Sequence, residues 1–319
     1  MTRIGTSDLE VFPLNLGGNV FGWTADRDES FAILDAFIAG GGNFIDTADS
    51  YSAWVAGHTG GESERIIGEW LAARGRPDVV VATKVSQHPQ FSGLSASNVR
   101  AAAEASLQRL GVESIDLYYA HFDDAETPLE ETVAAFGELV TAGLVRHIAV
   151  SNYTAERIRS WFEIARAGGY ALPVAVQPHY NLVERGIEAD VIPLAASEGI
   201  SVIPYFSLAK GFLAGKYRSA DTARGVDASP RAGAALAYVT PAGLAVVEEL
   251  ERIGAAHDAS IATAALAWLR AQPTVVAPLA SASRVGQVAD LLASATLELS
   301  SAELTALDAA STAVASRSA

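Results

Sequence analysis

The chain of 319 residues contains no cysteine. That excludes disulfides, thiolate metal sites and a cysteine nucleophile. It also lacks any run of about 18 apolar residues, so no membrane span is expected. The opening residues Met1-Thr2-Arg3-Ile4-Gly5 lack the apolar stretch of a signal peptide, and the cytoplasm is the default expectation. Positive charge is scarce: 22 Lys and Arg stand against 37 Asp and Glu, a net charge of −15. Without a basic face, nucleic acid or an anionic membrane is not expected as the main partner. A small phosphorylated ligand needs only a local patch, and one exists. Residues 209–235 carry Lys210, Lys216, Arg218, Arg224 and Arg231 against Asp221 and Asp227, a local net of +3.

Several catalytic signatures are also missing. There is no G-x-S-x-G elbow, no H-E-x-x-H and no G-x-G-x-x-G, which argues against a serine hydrolase, a zincin and a Rossmann cofactor domain. Gly211-Phe212-Leu213-Ala214-Gly215-Lys216-Tyr217 looks faintly like a phosphate loop. It has three residues between the glycines where four are needed, and Tyr where Ser or Thr is needed. His121, Asp123 and Asp124 have ligand chemistry, but carboxylates in a turn after a strand are ordinarily solvated, and no metal is expected.

What is present is apolar and alternating. Half of the residues are hydrophobic and 18% are charged, enough for a large core. The length suits two domains or one α/β barrel. Short β-branched runs at Pro13–Leu16, Asn43–Asp46, Val79–Lys84, Ile115–His121, His147–Ser151, Val174–Gln177, Ser201–Tyr205 and Thr274–Pro278 read as strands. Helical periods lie between them, near 28–40, 62–74, 95–110, 129–142, 154–168, 187–198, 241–256 with 260–271, and 284–293, with a further helix at 301–314. Thr127-Pro128-Leu129-Glu130 supplies an N-cap candidate with Pro at the first helical position, and Ser300 to Glu303 reads as another cap. Alternation of this kind implies parallel strands with crossover helices. Eight units close most naturally into a (β/α)8 TIM barrel, one domain over 1–319, with an N-terminal hairpin at Ile4 to Val11 covering its bottom. The longest non-repeating stretch, 206–240, is also the basic segment.

The active site of such a barrel lies at the C-terminal ends of its strands. Those ends are polar here: Asp46 (with Tyr51 in the loop that follows), Lys84, His121, Ser151 with Asn152, Gln177 and Tyr205. Each has an ordinary reading alone. Asp46 can cap a loop, Lys84 can be a solvated strand end, His121 a satisfied histidine near the core, and Tyr51 a loop aromatic. Together their chemistry is coherent. A tyrosine acts as a general acid near neutral pH only if its pKa of about 10 is lowered, and an adjacent ammonium does that. A buried lysine needs a carboxylate to stay charged. A histidine can orient a carbonyl. Such a set protonates a carbonyl oxygen as it gains a hydride, and the hydride must come from a cofactor.

The residues resemble a known family, the aldo-keto reductases, in particular a bacterial branch similar to the potassium-channel β-subunit-like reductases. The resemblance covers nearly the whole chain. It is carried by Gly41 to Tyr51 (GGNFIDTADSY), Gly61-Glu62-Ser63-Glu64, Leu107 to Tyr119 (LQRLGVESIDLYY) with Ala120-His121, Thr127 to Thr132, Val145 to Tyr153 (VRHIAVSNY), Gln177 to Leu182 (QPHYNL) and Tyr205 to Tyr217 (YFSLAKGFLAGKY). It implies a barrel that binds NADPH, or less often NADH, in an extended pose, and that reduces aldehydes and ketones. On this resemblance Tyr51 is the proton donor, Lys84 and Asp46 its tuning pair, and His121 the carbonyl-orienting residue. Ser151, Asn152 and Gln177 would hold the nicotinamide carboxamide, and Tyr205 would lie under its ring. The loop Phe206, Ser207, Leu208, Lys210, Gly211 to Lys216 resembles the pyrophosphate-binding segment, in agreement with the +3 patch. At the adenosine end stand Ser281, Ser283, Arg284, Gln287 and Asp290. Ser281 occupies a place where glycine is common, and Asp290 one where asparagine is common. Ser283 and Arg284 at a helix N-terminus would bind a 2′-phosphate, favouring NADPH; the alternative is that Ser283 merely caps the helix and Arg284 is solvated.

Trp23, Trp54 and His88 follow the first three strands and are expected to line a substrate pocket suited to an apolar, aromatic or sugar-ring carbonyl compound; loop packing is the competing reading for Trp54. Three functions compete: carbonyl reduction with NADPH, which the residues favour, NAD(P)-dependent dehydrogenation of a sugar or alcohol on the same site, and a non-catalytic NADPH-binding regulatory subunit. Nothing in the chain specifies an oligomeric state.

Overall fold

A computed structural model describes residues 1–219 and 232–315. Eight short parallel strands form one curled sheet: β1 (Asn15–Gly17), β2 (Phe44–Asp46), β3 (Val80–Val85), β4 (Ile115–Ala120), β5 (Val145–Ser151), β6 (Ala175–Gln177), β7 (Ser201–Val202) and β8 (Leu279–Ala280). Their order is β7-β6-β5-β4-β3-β2-β1-β8. Closure comes through a parallel bridge between Val202 and Val275, supported by Val202 N donating to Thr274 O at 2.9 Å and Leu279 N to Pro204 O at 2.9 Å. The sheet is therefore a (β/α)8 barrel.

The eighth strand differs from the expected Thr274–Pro278. The extended segment 274–280 serves two neighbours in turn. Residues 274–276 bond to β7, and only Leu279 and Ala280 pair in register with Asn15 and Leu16 of β1. Pro278 between them has no N–H to donate, and its carbonyl accepts from Asn15 N at 3.0 Å. Pro204 shortens β7 below the expected Ser201–Tyr205 in the same way.

The helices alternate with the strands: α1 (Arg27–Ala39), α2 (Glu62–Ala73), α3 (Ala96–Leu110), α4 (Leu129–Thr141), α5 (Ala155–Gly168), α6 (Val191–Glu198), α7 (Pro241–Ala256), α8 (Ile261–Arg270), α9 (Val288–Ala293) and α10 (Ser301–Ala315). Asp26, Thr154, Thr240 and Ser260 cap α1, α5, α7 and α8 through their side-chain oxygens. Ser300 and Glu303 form the expected reciprocal cap of α10. At α4 the cap position is Pro128, because the Thr127 hydroxyl instead donates to Asp124 Oδ2 at 2.7 Å.

The barrel interior packs Phe44, Val80, Ala82, Leu117, Tyr119, Ala149, Ala175, Ile203 and Ala277 around Ile4, Leu9 and Val11. Those last three belong to the N-terminal hairpin, in which Thr2–Arg3 pairs antiparallel with Glu10–Val11. Gly5 N donates to Ser201 Oγ at 2.8 Å, so the hairpin plugs the N-terminal ends of the strands, as expected. Chemistry is left to the opposite rim.

Candidate active site

The rim is built by strand ends. Asp46 closes β2 and Lys84 stands in β3, and both side chains are fully buried. Neighbouring parallel strands place them side by side. Lys84 Nζ donates to Asp46 Oδ2 at 2.5 Å, to the Thr47 carbonyl at 2.7 Å and to the Tyr51 hydroxyl at 3.2 Å. The second oxygen of Asp46 accepts from Gln177 Nε2, at the end of β6, at 3.0 Å. Burial pushes the Asp46 carboxyl up and the Lys84 ammonium down, while their mutual attraction opposes both shifts. Three acceptors fix the ammonium, and one of them is the phenol.

Tyr51 sits in the turn after β2. The next residue, Ser52, has a left-handed backbone (φ 71°) and is held by its hydroxyl on the Phe21 carbonyl at 2.9 Å. His121 follows β4 and meets Tyr51 edge to face, with ring centroids 6.1 Å apart. Burial, reinforced by the charge of Lys84, drives its pKa well below the usual histidine range. His121 is therefore a neutral imidazole at physiological pH, with one ring N–H to offer and no charge of its own.

Asn152, after β5, has a left-handed backbone (φ 58°). Its amide nitrogen donates to the His121 carbonyl at 2.9 Å, and its oxygen accepts from the Tyr205 hydroxyl at 2.7 Å. Ser151 Oγ donates to the Gln177 carbonyl at 2.8 Å. Tyr205 stacks on His179, with centroids 5.3 Å apart and planes 15° apart. Tyr51, His121, Asn152, Gln177 and Tyr205 converge on one cavity of about 570 Å³, lined also by Asn19 and Trp54, with Asp46, Lys84 and Ser151 behind its wall.

A second cavity of about 220 Å³ carries on from the first, sharing Asn19, Phe206 and Leu279 with it. Ser207, Leu208, Lys210, Gly211 and Lys216 line one side, and Ser281, Ser283, Gln287 and Asp290 the other. Phe206, Ala209 and Lys210 are held in left-handed backbone conformations. Strain of this kind in non-glycine residues persists where surrounding contacts over-determine it, and here Asn181 Nδ2 clamps the Phe206 carbonyl at 2.9 Å. A Cβ on Gly17 would lie 2.5 Å from Ser281 Oγ, so only glycine lets that hydroxyl reach Asn19 Oδ1 at 2.7 Å. Two joined cavities, with a stacking platform at one end and lysines midway, have the shape and chemistry of a trough for an extended dinucleotide. Of the basic segment, Asp221, Arg224, Asp227 and Arg231 lie outside the described residues.

Three expected positions differ. The segment 284–293 begins with a 3-10 turn, Val285–Gln287, and only then becomes α9. Its amides face no open helix end. Gln287 Oε1 accepts from Ser283 N at 2.9 Å and Arg284 N at 3.2 Å, and Glu29 Oε1 accepts from Val285 N at 2.5 Å. Arg284 is exposed and stands outside the lining of the trough. His88 is only 3% exposed, stacks on Phe91 and lies under Gly60; its neighbour Gln87 lines the cavity instead. Gln87 and His88 form a short strand with Phe91 and Ser92, which turns successive side chains to opposite faces. Trp23 stands behind Trp54, edge to face at 5.5 Å, so Trp54 alone of that pair faces the cavity.

Sequence reasoning missed Asn19, Thr47, Phe122 and Glu29. Asn19 and Phe122 lie two residues past the ends of β1 and β4; a search for polar residues just past every strand finds Asn19, and the apolar Phe122 escapes it. Thr47 acts through its carbonyl, which no side-chain pattern reveals.

Comparison with known proteins agrees with this geometry. The Aldo/keto reductase family model matches residues 13–312. Aldo-keto reductase str7 of Strobilurus tenacellus is 32% identical over 311 residues, covering 96% of this chain and 88% of that protein. Norsolorinic acid reductase B of Dothistroma septosporum is 29% identical over 323 residues, covering 96% and 79%. A rice protein named "Probable voltage-gated potassium channel subunit beta" is 31% identical over 302 residues, covering 90% and 88%. A buried lysine–aspartate pair presenting a tyrosine to an open cavity, on a barrel matched by this family over nearly its whole length, leads to one conclusion: the chain is an oxidoreductase and belongs to the aldo/keto reductase family.

Proposed function

We propose that this enzyme reduces an aldehyde or ketone to the alcohol, with NAD(P)H as hydride source and Tyr51 as proton donor. The observation that carries this reading is the Tyr51 hydroxyl 3.2 Å from Lys84 Nζ, at a cavity that also presents His121. The dinucleotide supplies the hydride. The chain's own residues do the rest. Neutral His121 donates a hydrogen bond to the carbonyl oxygen and orients it toward the phenol. Tyr51 gives its proton to that oxygen as negative charge develops there. The Lys84 ammonium stabilises the phenolate left behind, and Asp46, Gln177 and the Thr47 carbonyl keep the ammonium in place. Run backwards, the same groups oxidise an alcohol.

Trp54 and Phe122, 52% and 41% exposed, stand at the cavity. Large exposed aromatics beside a reacting centre support a flat, apolar carbonyl substrate that covers them on binding. For the cofactor, Arg284 puts a positive charge on the turn at the adenosine end but stands outside the trough lining, and the neighbouring amides are already bonded, so the reading is NAD(P)H with neither form preferred by Arg284 alone.

The test is titration of the purified protein with NADPH and NADH, followed by cofactor oxidation with 4-nitrobenzaldehyde. Binding with turnover supports the reading. Binding without turnover on any aldehyde or ketone tried would favour a regulatory subunit, the reading that the names of the plant relatives suggest. Binding of neither nucleotide overturns it.

A further inference from the structure

We propose that Glu29 decides which dinucleotide this enzyme uses, by placing a negative charge on the turn that borders the adenosine end of the trough. The inference rests on the dinucleotide reading above. Glu29 belongs to the first turn of α1, a helix that packs against the turn Val285–Gln287 and against α9. Its carboxylate reaches the turn after β8 and accepts from Val285 N at 2.5 Å. That turn closes the adenosine end of the trough, which Ser281, Ser283 and Gln287 line. The three consecutive amides of residues 283–285 are the donors that would otherwise be offered to an anion, and all three are bonded: two to the neutral Gln287 oxygen, one to the charged Glu29.

The two occupants act differently. Gln287 is an uncharged acceptor from within the turn and is compatible with a ribose hydroxyl beside it. Glu29 is an anion. A 2′-phosphate entering here must displace it from Val285 N or share the turn with it. Either course costs affinity, through a lost charge-assisted hydrogen bond or through like-charge repulsion across the turn, each on the order of tenfold at a half-exposed site. The 2′-hydroxyl of NADH meets neither penalty. Arg284, exposed on the same turn, offsets part of the cost for NADPH, so the balance between Glu29 and Arg284 sets the preference. With Glu29 in place, NADH binds at least as well as NADPH.

Glu29→Gln tests this, because it keeps an acceptor for Val285 N and removes only the charge. Calorimetric titration with adenosine 2′,5′-bisphosphate and with 5′-AMP reads the adenosine end without needing turnover. The wild type is expected to bind the bisphosphate no tighter than 5′-AMP. In Glu29→Gln the ratio of the two affinities should shift about tenfold toward the bisphosphate, and the NADPH-to-NADH ratio of kcat/KM should follow. Asp28→Asn is the control: it removes the same charge one residue away, from a side chain that pairs with Arg27, and should move the ratio less than about twofold. An unchanged ratio in Glu29→Gln, or an equal change in Asp28→Asn, overturns the role of Glu29 while leaving the reductase reading intact. Failure of the wild type to bind either nucleotide overturns both.

Discussion

Lys84 Nζ lies 3.2 Å from the Tyr51 hydroxyl oxygen, and the same ammonium is held by Asp46 and the Thr47 carbonyl. The phenol and the ammonium act as a unit, and the unit is buried on the ammonium's side only. Tyr51→Phe should therefore lower kcat by about a thousandfold, the scale of a lost general acid. Dinucleotide affinity, read by fluorescence titration, should stay within about twofold of wild type. A variant that keeps most of its turnover would remove Tyr51 from the role of proton donor.

The Lys84–Asp46 pair makes a prediction about stability. Both side chains are fully buried, so Lys84→Met leaves a buried carboxyl without its counter-ion. Loss of one partner of a buried pair costs about 3–5 kcal/mol. Adding Asp46→Leu should recover most of that loss in urea unfolding, while activity stays abolished. Recovery of activity together with stability would show that the pair serves only to fill the core.

His121 gives a pH prediction. Its folded pKa lies well below the unfolded value of about 6.5. Below pH 6.5 the unfolded chain takes up a proton that the folded chain refuses, so the stability contributed by neutral His121 is complete above pH 6.5 and falls as pH drops toward the folded pKa. The stability gap between wild type and His121→Gln should shrink over that window, measured by urea unfolding at pH 7.5, 6.5 and 5.5. A gap that widens on acidification would mean the imidazole is charged in the folded state.

Asp49 carries the opposite sign. It is fully buried, and burial with the nearby charge of Glu64 raises its carboxyl well above the usual range. The folded chain holds this proton more tightly than the unfolded chain, so its contribution is complete below pH 3.8 and is lost as pH rises toward the folded value. Asp49→Asn removes the need for the proton. The variant should gain on wild type progressively as pH rises from 4 to 8, and should keep kcat within about threefold, because Asp49 does not line the cavity.

Trp54→Ala tests the substrate side. The ring is half exposed and faces the cavity; covering it with a flat substrate is worth about 1–2 kcal/mol. KM for 4-nitrobenzaldehyde should rise about tenfold, and KM for a two-carbon or three-carbon aldehyde should hardly move. Equal effects on both would mean that Trp54 shapes the loop and leaves substrate choice to other residues.

The fold was legible because each unit announces itself locally: a β-branched run, a polar strand end, a capped helix. The proposed catalytic set was legible as a cluster for the same reason, since Asp46, Lys84 and His121 stand at or beside strand ends whose direction the parallel sheet fixes. What escaped reading depends on contacts between units far apart in the chain. The division of 274–280 between two neighbours follows from where β7 and β1 lie, not from its own residues. The burial of His88 depends on Gly60 coming down over it. The capture of the Val285 amide depends on a carboxylate 256 positions away, and no local pattern of residues 283–287 foretells it.

The barrel has a seam. β7 and β8 have two residues each, and the sheet closes between them through one bridge and a few backbone bonds. The trough lies across the loops that leave these two strands. Whatever fills it touches both lips of this short joint. An occupant therefore works as a staple as well as a reactant. The amides around Val202 and Val276 should exchange with deuterated solvent sooner than those of β4 and β5, and slow markedly once the trough is filled. Occupancy and mechanical closure are then coupled: a chain with the trough unfilled should loosen along one line.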